Sequence, residues 1–186
     1  MRLSQFVARG ILRLLGWKLL DIPERPPKAV VIAYPHTSNW DFCATMLGLA
    51  ALPYRARWVA KDTMFKGLKG YFFKALGGVP VNRRERTGFV QKVVDEFNQR
   101  ETFQLMIAVE GTRRKQEGWK SGFYRIAIAA KVPVLLATVD YPKKELGLLA
   151  VVDLTGDEEA DMKRIAACYA GRKGYNPENA SPIRLG

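Results

Sequence analysis

Short apolar runs rich in β-branched residues recur along this chain, and stretches of helical periodicity separate them. Residues 29–34 carry Val30, Val31 and Ile32, and residues 103–109 and 132–141 are of the same kind. Runs this short and this apolar read as strands buried on both faces. Further short strands are expected at 57–60, 79–81 and 148–154, with a helix-rich stretch at 61–76. Residues 87–100 place Phe89, Val93, Val94 and Phe97 on one side of a helix, and residues 121–130 are also helical. Residues 157–170 form a closing helix with acids in its first turn, where the macrodipole favours them. Strands alternating with helices predict an α/β fold: a layered single domain with a mixed, largely parallel sheet flanked by helices. The 186 residues suffice for one such domain.

Charge narrows the possible partners. Thirty Lys and Arg against eighteen Asp and Glu leave a formal charge of +12. Such a surface attracts nucleic acid, anionic lipid headgroups or phosphate-bearing substrates, and composition does not choose among them. Cys43 and Cys168 have no metal-type spacing, so they are expected to be reduced, small core residues of a cytosol-facing protein.

Residues 1–20 repeat Phe6, Val7, Ile11, Leu14, Leu15 and Leu19 at helical spacing, with Arg2, Gln5, Arg9 and Arg13 on another face. Charges interrupt the run too often for a membrane span or a secretory signal. A basic amphipathic helix with Trp17 and Lys18 at its end suits either a membrane interface or packing on the domain's own core. Pro23, Pro26 and Pro27 close it, giving a membrane-interface helix at 1–22 and a catalytic domain at 23–186. The last sixteen residues, with Gly171, Gly174, Pro177 and Pro182, read as a tail laid over the surface.

Polar clusters follow three of the strands. In open α/β sheets ligands bind beyond the carboxyl ends of strands, so the three can share one cleft. The first holds the one histidine, in Tyr34-Pro35-His36-Thr37-Ser38-Asn39-Trp40-Asp41. Histidine exchanges protons near neutral pH, and a carboxylate can hold its ring in one tautomer. Most isolated histidines are structural, and it is the position directly after a buried strand that singles this one out. In a continuous helix residues five apart lie about 140° round the axis. His36 therefore meets Asp41 only if it sits in the strand-to-helix turn and folds back, with Ser38 or Asn39 capping the helix. No serine or cysteine stands out as an acylated nucleophile, so His36 acting directly on a substrate hydroxyl is the simpler reading.

The second cluster is Glu110-Gly111-Thr112-Arg113, followed by Lys120. Gly111 permits a tight turn, backbone amides and the Thr112 hydroxyl can approach a phosphate, and Arg113 offers a planar fork to phosphate oxygens. Glu110 can pair with an arginine or orient the turn. The third cluster, Gly77 to Arg84, places Arg83 at a strand end; it suits anion binding or a plain basic turn equally. Beside it, Lys61, Lys66, Lys69 and Lys74 alternate with Met64, Phe65, Leu68, Tyr71, Phe72 and Phe73, as on a helix meeting lipid or packing on the sheet.

Taken in order, His-x4-Asp, Gly-Gly-Val-Pro-Val-Asn-Arg, Glu-Gly-Thr-Arg and Val132-Pro133-Val134-Leu135-Leu136 resemble the four signature blocks of the glycerolipid acyltransferases, the family that includes 1-acylglycerol-3-phosphate acyltransferase. The resemblance spans residues 28–140. It departs at Pro80 and Asn82, where the family more often has a bulky apolar residue and an aspartate. It implies that His36 is the general base and Asp41 its partner. Arg83, Glu110, Gly111, Thr112, Arg113 and Lys120 would bind the acceptor, and the fourth block would help shape the acyl or acceptor pocket.

The expected activity is transfer of a fatty acyl group from acyl-CoA or acyl carrier protein to a glycerolipid hydroxyl. The acyl carrier is a co-substrate, and neither metal nor cofactor is expected. The expected place is an anionic membrane surface, peripheral on the cytoplasmic face of the inner membrane. Two other readings compete: a non-catalytic basic module for RNA or anionic lipid, with Trp40, Trp58 and Trp119 stacking on bases, and a thioester hydrolase. No RNA-recognition motif is present, which counts against nucleic acid.

Overall fold

Residues 29–32 are completely buried. Successive side chains of a strand leave on opposite faces, so four buried neighbours require a covering layer on each side. The computed structural model, which describes residues 3–53, 55–81 and 88–186, has both layers. In chain order the elements are helix α1 (Leu3–Leu14), strands β1 (Lys18–Leu20) and β2 (Lys28–Ala33), helix α2 (Trp40–Ala51) and strand β3 (Arg57–Lys61). A single 3-10 turn (Asp62–Phe65), helix α3 (Gly67–Ala75), strand β4 (Gly78–Val81), helix α4 (Phe89–Gln99) and strand β5 (Phe103–Ala108) follow. Helix α5 (Gly122–Ala130), strands β6 (Val134–Asp140) and β7 (Glu145–Val152) and helix α6 (Glu158–Cys168) complete the domain.

Among the described residues seven strands lie in the order β1-β7-β6-β2-β5-β3-β4. Among the described residues only β6 and β7 pair antiparallel, and every other neighbouring pair is parallel. This is the mixed, largely parallel sheet that the alternation predicts. On one face Val30, Ile32, Leu105 and Leu136 meet α4, α5 and α6 through Phe97, Phe123, Ile126 and Ile165. On the other, Ala29, Val31 and Leu135 meet α2 through Met46 and Leu49, while Trp58 gathers Phe42, Phe65 and Phe73. Helix α1 packs on α2 and β7 through Ala8 and Leu12.

Several expectations change. The first helix stops at Leu14, not near residue 20, because Gly16 takes φ +74 and turns the chain into β1. Residues 18–20 are then an edge strand beside β7, so the stretch 1–22 contains part of the sheet as well as a helix. Cys43 is exposed and not a core residue, whereas Cys168 is half-buried and packs against the core. The tail lies over the surface as expected and is anchored there. Leu185 bridges to Trp119, and Ser181 is buried.

Two helix faces stay apolar and uncovered. On α1 Leu3, Phe6, Val7 and Leu14 are exposed, Leu14 to 88%. On α3 Leu68 (90%), Tyr71 and Phe72 are exposed, while Phe65 and Phe73 turn inward onto Trp58. Among the described residues no helix is long and apolar enough to cross a membrane.

Candidate active site

Strand β2 ends where Pro35 removes the next ladder donor, after a cis Tyr34–Pro35 peptide. The chain reverses over residues 36–39 before α2 begins at Trp40. The reversal is tied by Asp41. Its Oδ2 accepts the backbone N–H of Thr37 at 2.7 Å and of Ser38 at 2.8 Å, and lies 3.4 Å from His36 Nδ1. The expected fold-back of His36 over the first helical turn is therefore present. Of the two expected caps, Asn39 makes no side-chain bond, while Ser38 Oγ accepts the N–H of Trp40, the first residue of the helix. The carboxylate of Asp41, in the first turn and sealed from solvent, instead ties back the two residues that precede the cap. Burial pushes the Asp41 carboxyl up. Hydrogen bonds from His36 and the Ser38 N–H, with the Tyr141 phenol nearby, outweigh this and hold it below the ordinary range, so it stays an anion beside the ring. With Nδ1 facing Asp41, Nε2 is the ring nitrogen left to meet a substrate.

Glu110 follows β5, the strand beside β2, and is completely buried. Its Oε2 accepts the backbone N–H of His36 and its Oε1 that of Ser181, both at 2.7 Å. Sealed from solvent and engaged by two backbone amides, Glu110 fits the expectation that it orients the turn. It supports the turn that presents His36. The turn after it starts at Gly111, with φ +66, where a side chain would be strained. Thr112 is half-buried, and Arg113 and Lys120 are exposed. Among the described residues no hydrogen bond or ion pair joins these three side chains to the dyad. Arg83 lies outside the described residues.

A narrow, mostly apolar cleft runs inward from His36 and Asp41 between α2 and the sheet, past Thr45, Leu49, Met106 and Ala137. A carboxylate-held imidazole at the mouth of an apolar cleft can take a proton from a hydroxyl brought beside it. A family model described as Acyltransferase matches residues 21–139, which include the dyad, Glu110 and the turn beyond it. The chain belongs to the Acyltransferase family. The fold of this acyltransferase is similar to that of the 1-acyl-sn-glycerophosphate (LPA) acyltransferase PlsC from Thermotoga maritima. The TM-score is 0.58 at 17% identity, over 90% of this chain and 76% of that one. No curated protein matches the sequence.

Residues beyond the matched stretch also brace the turn that carries His36. Asn176 donates its backbone N–H to Thr37 Oγ1 (3.1 Å) and its side-chain amide to the Thr37 carbonyl (3.0 Å). Gly174 comes so close that an added Cβ would collide with the Thr37 hydroxyl. Tyr34, pushed up to about 12 by burial and by Glu110, donates its phenol to the Ser181 carbonyl at 3.0 Å. Sequence reasoning missed these residues for a physical reason. Ser181 contributes backbone groups that nearly any residue supplies, and Asn176 in a Gly- and Pro-punctuated tail looks like ordinary turn chemistry. Trp58 and Trp119 are buried in the core, so they are not free to stack on bases.

Proposed function

We propose that this acyltransferase moves a fatty acyl group from an acyl thioester, on coenzyme A or acyl carrier protein, to the hydroxyl of a phosphate-bearing glycerolipid such as 1-acylglycerol-3-phosphate. His36 is the general base. The observation that carries the reading is the dyad itself: His36 Nδ1 facing a buried Asp41 carboxylate in a chain of this family. In the proposed step Nε2 takes the hydroxyl proton as the oxygen attacks the thioester carbonyl. The tetrahedral adduct then expels the thiolate, which leaves with that proton as a thiol, and an ester remains. Asp41 stabilises the imidazolium in between. The exposed Arg113 and Lys120, on the turn that opens at Gly111, would take the acceptor phosphate together with Arg83. The apolar cleft beside Thr45 and Met106 would take the start of the acyl chain.

The same reading seats the protein peripherally on an anionic membrane, on its cytoplasmic face. The uncovered apolar faces of α1 and α3, the latter flanked by Lys66, Lys69 and Lys74, support this.

The decisive experiment incubates the protein with labelled acyl-CoA or acyl carrier protein and a panel of lipid acceptors, with mass analysis of products. An acylated acceptor formed by the wild type and not by a folded His36→Ala variant is expected. Free fatty acid released regardless of acceptor would replace transfer with hydrolysis.

A further inference from the structure

Two atoms beside the catalytic turn are sealed from solvent yet have no hydrogen-bond partner among the described residues: Asp41 Oδ1 and the phenolic oxygen of Tyr141. Burying an unpaired acceptor or donor is unfavourable, so each requires an explanation. One is an acceptor and the other a donor. Oδ2 of the same carboxylate is already taken by Thr37, Ser38 and His36, which leaves Oδ1 to a partner from elsewhere. Tyr141 is the residue directly after β6, and β6 pairs with β2, so the phenol and the turn of His36 come from adjacent strand ends.

The Tyr141 ring has little freedom. Trp17 stands edge-on at 5.3 Å between centroids and Tyr175 at 5.1 Å, and the Tyr141 backbone N–H donates to the Lys173 carbonyl at 3.1 Å. Each group feels the other: burial and then the Asp41 charge push the phenol well up, and the phenol helps to hold the carboxyl down.

We propose that Tyr141 is a positioning residue of the dyad, whose phenol closes onto Asp41 Oδ1 as His36 takes up a proton and thereby sets how strongly Asp41 favours the protonated ring. This rests on the reading of His36 as general base. Tyr141 acts through Asp41 and does not touch the substrate. A donor on Oδ1 draws carboxylate charge away from His36, so removing it makes the ring hold its proton more tightly. The other groups around the pair are Glu110 and Tyr34 on the His36 side and Cys43 and Tyr175 on the Tyr141 side. A Tyr141→Phe substitution leaves all of them in place.

The chain has one histidine, so an NMR titration of the ring ε1 proton yields a single unambiguous curve. In Tyr141→Phe its midpoint should rise by about half a pH unit, about threefold in proton affinity, and the acid limb of kcat/KM should move the same way. Tyr175→Phe, which keeps the phenol of Tyr141, should leave the curve where it is. An unmoved curve in Tyr141→Phe, or an equal rise in Tyr175→Phe, overturns the proposal. If Tyr141→Phe does not fold, 3-fluorotyrosine at position 141 keeps the shape and strengthens the donor. The midpoint should then fall, and no movement overturns the proposal. The titration needs no substrate, so it decides the role of Tyr141 even if the acyl-transfer assay fails.

Discussion

Glu110 holds His36 and Ser181 by one carboxylate, an oxygen on each backbone N–H at 2.7 Å. Because Glu110 is fully buried, water does not compete for either bond, and the position of His36 depends on a side chain sealed from solvent. Glu110→Gln keeps one acceptor and turns an amide donor toward the other N–H. It should cost about 1–3 kcal/mol in denaturant unfolding and lower kcat more than it raises KM. Unchanged stability would mean that the clamp is idle.

For the dyad, His36→Ala should lower kcat by about 10²–10⁴-fold with the fold intact. Asp41→Asn should do similar damage to the rate and loosen the turn only slightly, because its amide oxygen can still accept from Thr37 and Ser38. Circular dichroism and single-turnover rates separate the two losses.

Asn176→Ala removes the side-chain bond to the Thr37 carbonyl. A misplaced general base costs rate before it costs binding, so kcat should fall about tenfold with KM nearly constant. Gly174→Ala, which drives a methyl into the Thr37 hydroxyl, should have a larger effect. Steady-state kinetics against a fixed acyl donor reads both.

Leu68→Ser combined with Phe72→Ser replaces two exposed apolar side chains of α3. Cosedimentation with anionic vesicles should weaken, while turnover of a short-chain, water-soluble acceptor should stay the same. Equal cosedimentation would remove α3 from the membrane contact.

Asp161 provides a pH signature far from the site. Burial pushes its carboxyl up, but Arg164, Tyr124 and Thr155 more than offset this and set it at about 2, below the ordinary 3.8. The folded value lies below the unfolded one, so the stabilisation is fully present above about pH 4 and lost as pH falls toward 2. Asp161→Asn should cost about 2 kcal/mol at neutral pH, and the difference from wild type should shrink over that acid window.

What the sequence revealed and what it hid divide along a physical line. Side-chain chemistry was legible: the β-branched runs became β2, β5 and β6, and His36 met Asp41 across the turn because Pro35 stops the strand just before them. Backbone chemistry was not. The resemblance put Glu110 with the acceptor while the residues alone also let it orient the turn, and only its burial shows that it binds amides. Trp17 and Lys18 read as the end of a helix, since local periodicity does not register that Gly16 turns the chain into an edge strand. Tyr141 gave no signal at all, being one aromatic at the end of an apolar run.

The bonds that frame His36 span 74 residues to Glu110, and Thr37 reaches across 139 to Asn176. Contacts so distant along the chain close late, after the local helices and neighbouring strands have formed. A chain still being synthesised therefore carries its histidine and aspartate long before the segment that steadies them exists. Catalytic competence should appear late in folding, after the helices and the strands around Trp58 have packed, and refolding followed by activity should lag refolding followed by far-ultraviolet circular dichroism.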